Sequence, residues 1–243
     1  YSGTSPNSFS RTNNKNQHHV INFFSSYEKK FKDHYFKAMV GYTQELYDNL
    51  EQYSGNSYLY SDDIPSLSLT YGTSPSISDK ASQLAIRGGF GRINYNYKEK
   101  YLLELNGRYD GTSRFASDQR WNLFPSFSAG WNIAREAFME PYTDIINNLK
   151  LRGSWGQLGN QNTVNLYPYI QTMPFYPSSN TNENTWLING GRQNSSKAPD
   201  LISALLTWET MSSWNVGFDL GMLRNRLTMS FDYFVRKTFD MVG

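Results

Sequence analysis

Two stretches of this chain alternate apolar and polar residues so regularly that only an extended backbone accommodates them. In "GRINYNYKEKYLLELNGRYD", residues 91–110, Ile93, Tyr95 and Tyr97 take every second position before Lys98. Tyr101, Leu103, Leu105 and Tyr109 do the same after Lys100. Between them lie Arg92, Asn94 and Asn96, then Glu104, Asn106, Arg108 and Asp110. Period two belongs to a strand with unlike faces. A turn over Lys98, Glu99 and Lys100 sets Tyr95 opposite Leu103 and Ile93 opposite Leu105. The same turn sets Asn94 opposite Glu104 and Arg92 opposite Asn106. A slip of one residue would put greasy side chains among wet ones. Agreement of both faces in one register therefore predicts an antiparallel hairpin, apolar on one side and polar on the other.

The pattern returns in "SSWNVGFDLGMLRNRLTMSFDYFV", residues 212–235. With a turn over Leu223 to Arg226, Leu220 meets Met229, Phe218 meets Phe231 and Val216 meets Tyr233. Asn215, Gly217 and Asp219 then share the other face with Ser230 and Asp232. A rougher hairpin spans "HHVINFFSSYEKKFKDHYFKAMVGY", with Ile21, Phe23 and Tyr27 before a turn near Lys32 and Phe36, Ala38 and Val40 after it. Two further strands carry Phe127, Ala129 and Trp131, and Leu149, Leu151 and Trp155. "AREAFMEPYTDIIN" between them has helical spacing, which predicts one short helix or turn. Eight strands are expected, near 18–30, 34–47, 85–97, 101–111, 123–133, 148–158, 208–222 and 227–240.

Strands of about 10 residues exceed the globular mode of about 5–6 and match the length of a tilted membrane crossing. Connections alternate: tight or short at one end, long at the other (48–84, 112–122 and 159–207). Short turns on one side and long loops on the other are what an outer-membrane barrel has. Aromatics gather at strand ends, as interfacial girdles do. Hydrophobic residues make up only 38% of the chain and mean hydropathy is −0.63. No apolar run approaches the ~18 residues of a transmembrane helix, which leaves a barrel open because its strands alternate. The fold expected is all-β: an antiparallel transmembrane β-barrel, Ile93, Tyr95, Leu103, Leu105, Val216, Phe218, Leu220, Met229 and Phe231 facing lipid. Arg92, Asn94, Glu104, Asn106, Arg108, Asp219 and Asp232 then face the lumen. Two other folds fit the alternation. One is a soluble carbohydrate-binding β-sandwich, whose two apolar faces would pack on each other. The other is a small closed eight-stranded structural or adhesive barrel, whose first strand would pair with its last.

The residues also carry a family likeness. "GGFGRINYNYKEKYLLELNGRYDGTSRFASDQRWNLFPSFSAGWNIAREAFM" and "INNLKLRGSWGQLGNQN" resemble the barrel of SusC/RagA-type TonB-linked outer-membrane transporters. So do Trp208–Glu209, the Asn-x-Gly-x-Asp run Asn215–Asp219, and Asp232–Tyr233, in the family's order. The resemblance is close over 85–243 and looser over 1–84. It implies about eight strands of a 22-stranded barrel that imports oligosaccharides or peptides. It also implies a SusD-like surface lipoprotein as lid, TonB acting through a plug region, and contact with the outer-membrane lipid of a Bacteroidetes-type bacterium. Signal peptide, plug, TonB box and final strand are not found in the sequence, so residues 1–243 are expected to be an internal piece of such a barrel.

Substrate contacts are expected from aromatic residues in the long, Asn-rich loops: Trp121, Tyr167, Tyr169 and Trp186, whose rings can stack on sugars or on peptide side chains. The Asn-rich setting tilts the cargo towards glycan. No catalytic residues, cofactor or metal site are expected. The chain has no Cys. It also lacks the Gly-x-Ser-x-Gly, His-Glu-x-x-His and P-loop patterns. Of three histidines, His18 and His19 point to opposite faces of one strand and cannot share a metal. Asp62 and Asp63 offer the adjacent carboxylates calcium takes, without EF-hand spacing. Net charge is +2 with no basic block, so nucleic acid is not an expected partner.

Overall fold

A computed structural model describes residues 7–163, 165–178, 187–199 and 206–241. Eight long strands make one sheet in chain order: β1 (Ser8–Phe31), β2 (His34–Ser57), β3 (Ser76–Tyr97), β4 (Tyr101–Thr112), β5 (Trp121–Asn132) and β6 (Ile146–Asn160) come first. Four two-residue strands follow in the long loop: β7 (Phe175–Tyr176), β8 (Leu187–Ile188), β9 (Gly191–Arg192) and β10 (Ser195–Ser196). The sheet resumes with β11 (Glu209–Met222), paired to β6, and ends with β12 (Leu227–Phe239). The ladders β4–β5, β5–β6, β6–β11 and β11–β12 are antiparallel. The sheet order begins at β1 and ends at β12, and among the described residues these two strands are not neighbours, so the closed eight-stranded barrel does not form.

The expected registers hold. Leu220 pairs with Met229, Phe218 with Phe231 and Val216 with Tyr233. In the β3–β4 hairpin, Asn94 Nδ2 donates to Glu104 at 2.5 Å and Arg92 Nε to Asn106 at 2.7 Å. The turn between these strands contains no glycine, yet Lys98 and Glu99 both take positive φ, 51° and 54°. That type I′ geometry matches strand twist. Asn96 helps hold it by accepting the Glu99 backbone N–H at 2.7 Å.

Three strands run well past the expected limits: β1 starts at Ser8 rather than 18, β2 ends at Ser57 rather than 47, and β3 starts at Ser76 rather than 85. Apart from Phe9, "SFSRTNNKNQ" is polar on both faces, so it carries no repeating period-two signal. The helical spacing of 134–147 folds as two 3₁₀ segments, Ile133–Arg135 and Ala137–Tyr142, with Pro141 inside the second.

The chain divides into two compact units, Tyr1–Phe23 with Tyr42–Arg87, and Phe24–Gly41 with Gly88–Gly243. In the first, the connection after β2 folds back through an isolated bridge, Leu59 to Thr70. Tyr58 and Tyr60 pack on Tyr71 there, with ring centroids 5.4 and 4.8 Å apart. His18 stacks on Tyr47 and pairs with Glu45. Asp62 accepts the Asn7 amide at 2.8 Å.

In the second unit the tight connections are tied together at one end. Lys98 N–H donates to Asp33 O at 2.8 Å, Lys98 Nζ pairs with Asp33 at 3.4 Å, and Arg135 pairs with Glu99. Glu136 is the hub, accepting from Tyr101 OH at 2.8 Å, Trp131 Nε1 at 3.1 Å and Lys100 Nζ at 3.0 Å. Those donors, the Tyr101 hydroxyl foremost, pull its carboxyl from the ordinary 4.5 to about 2. At the loop end lies a small core of Phe115, Phe124 and Trp208. Phe115 is 1% and Trp208 4% exposed. Trp208 Nε1 donates to Arg120 O at 2.9 Å, which fastens the 113–120 loop to the start of β11.

The two faces of this unit differ as expected. On one, Phe127, Trp155 and Trp214 touch, with centroids 5.6–6.3 Å apart across β5, β6 and β11. Leu105 and Phe231 on that face are 55% and 54% exposed, with no second protein layer over them in this unit. A sandwich would bury them. The sandwich alternative therefore fails.

Candidate functional site

The polar face of the second unit gathers the charged residues. Asn106 Nδ2 donates to Glu104 Oε1 at 2.8 Å, while Glu104 Oε2 takes Asn94, so Arg92, Asn94, Glu104 and Asn106 form one chain of hydrogen bonds across β3 and β4. Arg108 Nε donates to Asp110 at 2.6 Å, and its guanidinium lies over the Phe90 ring at 5.8 Å.

A second network crosses three strands. Arg152 on β6 makes a fork to Asp232 on β12, 2.6 and 2.7 Å, and reaches Asp219 on β11 at 3.2 Å. Ser230 Oγ donates to Asp219 at 2.8 Å. The fork spans the intervening β11 because Gly217 is the residue between: it pairs with Arg152 on one side and Asp232 on the other. A Cβ at Gly217 would lie 2.7 Å from Asp232 Oδ1 and 3.2 Å from Arg152 Cζ. The sequence places Asp219, Asp232 and Gly217 on this face, but it does not single out Arg152 or the room that Gly217 leaves for it. The signal was available: Trp155 opposite Trp214 sets Arg152 opposite Gly217, but the two strands are separated by the longest loop.

Glycines recur under large side chains on this face. Phe90 lies on Gly41, Phe124 on Gly159 and the Asp110 carboxylate on Gly88, each where a Cβ would collide. Hollows mark this face of the sheet. One, of about 490 Å³, is lined by Tyr35, Lys37, Glu104, Lys150, Arg152 and Asn215 among others. Another, of about 520 Å³, lies among Phe90, Arg92, Asn106, Arg108, Phe124 and Gln157. Their exposed amides and guanidinium groups can hydrogen-bond a hydroxyl, a peptide group or an oxyanion.

The expected loop aromatics come out differently. Trp121 is not in a loop: it is the first residue of β5, paired with Gly111 and stacked on Tyr109 at 5.1 Å on the apolar face. Its "DQRW" context reads as loop because the apolar alternation of β5 is interrupted at Pro125. Tyr167 and Tyr169 make an edge-on pair at 6.5 Å in the long loop. Trp186 lies outside the described residues. Among the described residues no three His, Cys, Asp or Glu side chains cluster as a metal site would.

In the second unit, an antiparallel sheet with tight turns at one end, long loops at the other and an uncovered apolar face has the form of a barrel wall. Residues 1–243 match the family described as TonB dependent receptor-like, beta-barrel. The chain belongs to that family. Its relatives include the TonB-dependent receptor SusC of Bacteroides thetaiotaomicron, 37% identical over 154 residues, which is 63% of this chain and 15% of SusC. TonB-dependent receptor P3 of Formosa agariphila is 28% identical over 221 residues, 90% of this chain and 21% of that protein. Among solved structures, the RagAB peptide transporter superposes with a TM-score of 0.78 at 21% identity, covering 96% of this chain and 25% of that one. This TonB-dependent receptor barrel thus spans a quarter or less of each of these relatives.

Proposed function

We propose that this chain forms part of the wall of an outer-membrane importer for oligosaccharides or peptides, driven through TonB and working with a SusD-like surface lipoprotein. The observation that carries this is the opposition of faces. One side of the sheet leaves Leu105, Val216, Phe231 and Tyr233 uncovered. The other ties its charges into hydrogen-bonded networks that need water or each other. In this reading Ile93, Tyr95, Leu103, Leu105, Val216, Phe218, Leu220, Met229 and Phe231 meet lipid. Arg92, Asn94, Glu104, Asn106, Arg108, Asp219 and Asp232 line the aqueous path. Backbone groups in lipid must be paired, which a sheet closed by further strands provides.

Membership in the TonB-dependent receptor family supports the outer membrane and TonB. The names SusC and RagAB peptide transporter belong to relatives and support either cargo; the Asn- and Tyr-bearing loop with Tyr167 and Tyr169 favours glycan. The test uses the full-length transporter in its own bacterium. Fractionation is expected to place it in the outer membrane, and deleting TonB function is expected to stop uptake of a labelled oligosaccharide or peptide that the parent takes up. Recovery in the soluble fraction would sink the reading. A surface lipoprotein is expected to co-purify in detergent.

A further inference from the structure

Three arginines of the polar face, Arg92, Arg108 and Arg152, are not alike. Arg152 is saturated: Nε and both terminal nitrogens bond to Asp219, Asp232 and Ser230. It is a structural cross-brace. Arg92 and Arg108 are held differently. Each commits only its Nε, Arg92 to Asn106 at 2.7 Å and Arg108 to Asp110 at 2.6 Å. Among the described residues neither donates from a terminal Nη.

Both are nonetheless fixed in place. Asn106 is itself held by Glu104. Asp110 is 8% exposed and lies against Gly88, whose missing Cβ makes the room. Arg108 lies over Phe90, and Phe90 in turn lies on Gly41. Both arginines border the same hollow, with Asn106, Gln157 and Ser126 beside them. Its charged lining is two guanidinium groups and one carboxylate, the Asp110 already paired to Arg108. Glu104, outside this lining, is taken up by Asn106 and Asn94. A guanidinium with its Nε clamped and its Nη pair free loses little freedom on taking up a planar oxyanion.

We infer that Arg92 and Arg108 form an oxyanion subsite on the polar face, one that takes a carboxylate or sulfate group of a passing molecule. Such a group could belong to an acidic sugar or to an acidic peptide. The inference rests on the importer reading for what passes, but the binding itself does not.

The test is calorimetry on the purified full-length transporter in detergent with two probe pairs. One pair is cellotriose and its counterpart bearing a terminal uronate. The other is an N-acetyl alanine tripeptide as free carboxylate and as amide. In at least one pair the anionic member is expected to bind about tenfold tighter, as charge-assisted hydrogen bonds to two guanidinium groups allow. The preference is expected to vanish in the Arg92→Gln/Arg108→Gln double variant and to shrink as salt rises. Preference for the sugar pair or the peptide pair tells which source is used. Should the double variant not fold, Arg92→Lys keeps the charge and removes the fork, and a reduced preference is expected there too. Equal binding within both pairs, no binding by either anionic probe, or a preference that survives substitution overturns the inference. A transporter found outside the outer membrane overturns the importer reading alone and leaves this binding result standing.

Discussion

Leu105 sits midway between the rings of Tyr101 and Tyr109 on one strand face. Tyr101 and Tyr109 are eight residues apart, about 27 Å along a strand at about 3.4 Å per residue. Tilted by about 45°, as spanning strands are, that becomes about 19 Å of depth, within the apolar band of about 25 Å. Leu105 is then about 10 Å from either ring. Its partner across the ladder is Phe127. Leu105→Arg puts a guanidinium near the bilayer midplane, where the cost is about 2–4 kcal/mol. That is roughly 30- to 700-fold in the folding equilibrium. Ser128→Arg is the control. Ser128 pairs with Glu104 and borders the open hollow on the other face, where Glu104 offsets the nearby Lys37, Lys150 and Arg152, so the new charge stays wet. Its effect is expected to stay within about 0.5 kcal/mol. The assay is urea titration of the full-length barrel in lipid vesicles, read by heat-modified gel mobility. Equal costs for the two variants, or a costlier Ser128→Arg, would refute the assignment of faces.

Gly217→Val drives a side chain into Asp232 and Arg152 and breaks the three-strand brace. Because that network is partly exposed, a loss of about 1–3 kcal/mol is expected in the same titration, and Gly107→Val, where open space is found, is expected to cost less. Trp208→Ala removes a buried ring and the donor to Arg120, so about 3–5 kcal/mol is expected, with faster protease cleavage in 113–120. For Glu136 the folded carboxyl titrates near 2 against an ordinary 4.5, so its contribution to stability is present above about 4.5 and lost as pH falls to about 2. The stability gap between parent and Glu136→Gln, measured from pH 7 to pH 2, is expected to close over that range; a gap that does not change with pH would contradict the hub at Glu136.

The hairpins β3–β4 and β11–β12 were legible because two conditions must agree in each: a period of two and a turn short enough to set one register. Phe218 against Phe231, or Asn94 against Glu104, follows from counting. The polar start of β1 was not legible, because Ser8 to Gln17 is polar on both faces apart from Phe9 and leaves no periodicity to read. Trp121 was misplaced in a loop for a different reason: Phe124 and Pro125 break the alternation that joins Trp121 and Leu123 to Phe127, Ala129 and Trp131.

Local order along the chain therefore determined which residues share a face, since side-chain direction in a strand depends only on parity. It did not determine which strands lie side by side across a long loop. Arg152 and Asp232 are 80 positions apart, and only the β6–β11–β12 ladders bring them to 2.6 Å. The same ladders make Gly217 matter, because a missing side chain counts only when something else fills its space. Tertiary structure decided, too, which arginines are used up and which are free. Arg92, Arg108 and Arg152 look equivalent in sequence, and only the carboxylates delivered from neighbouring strands tell them apart.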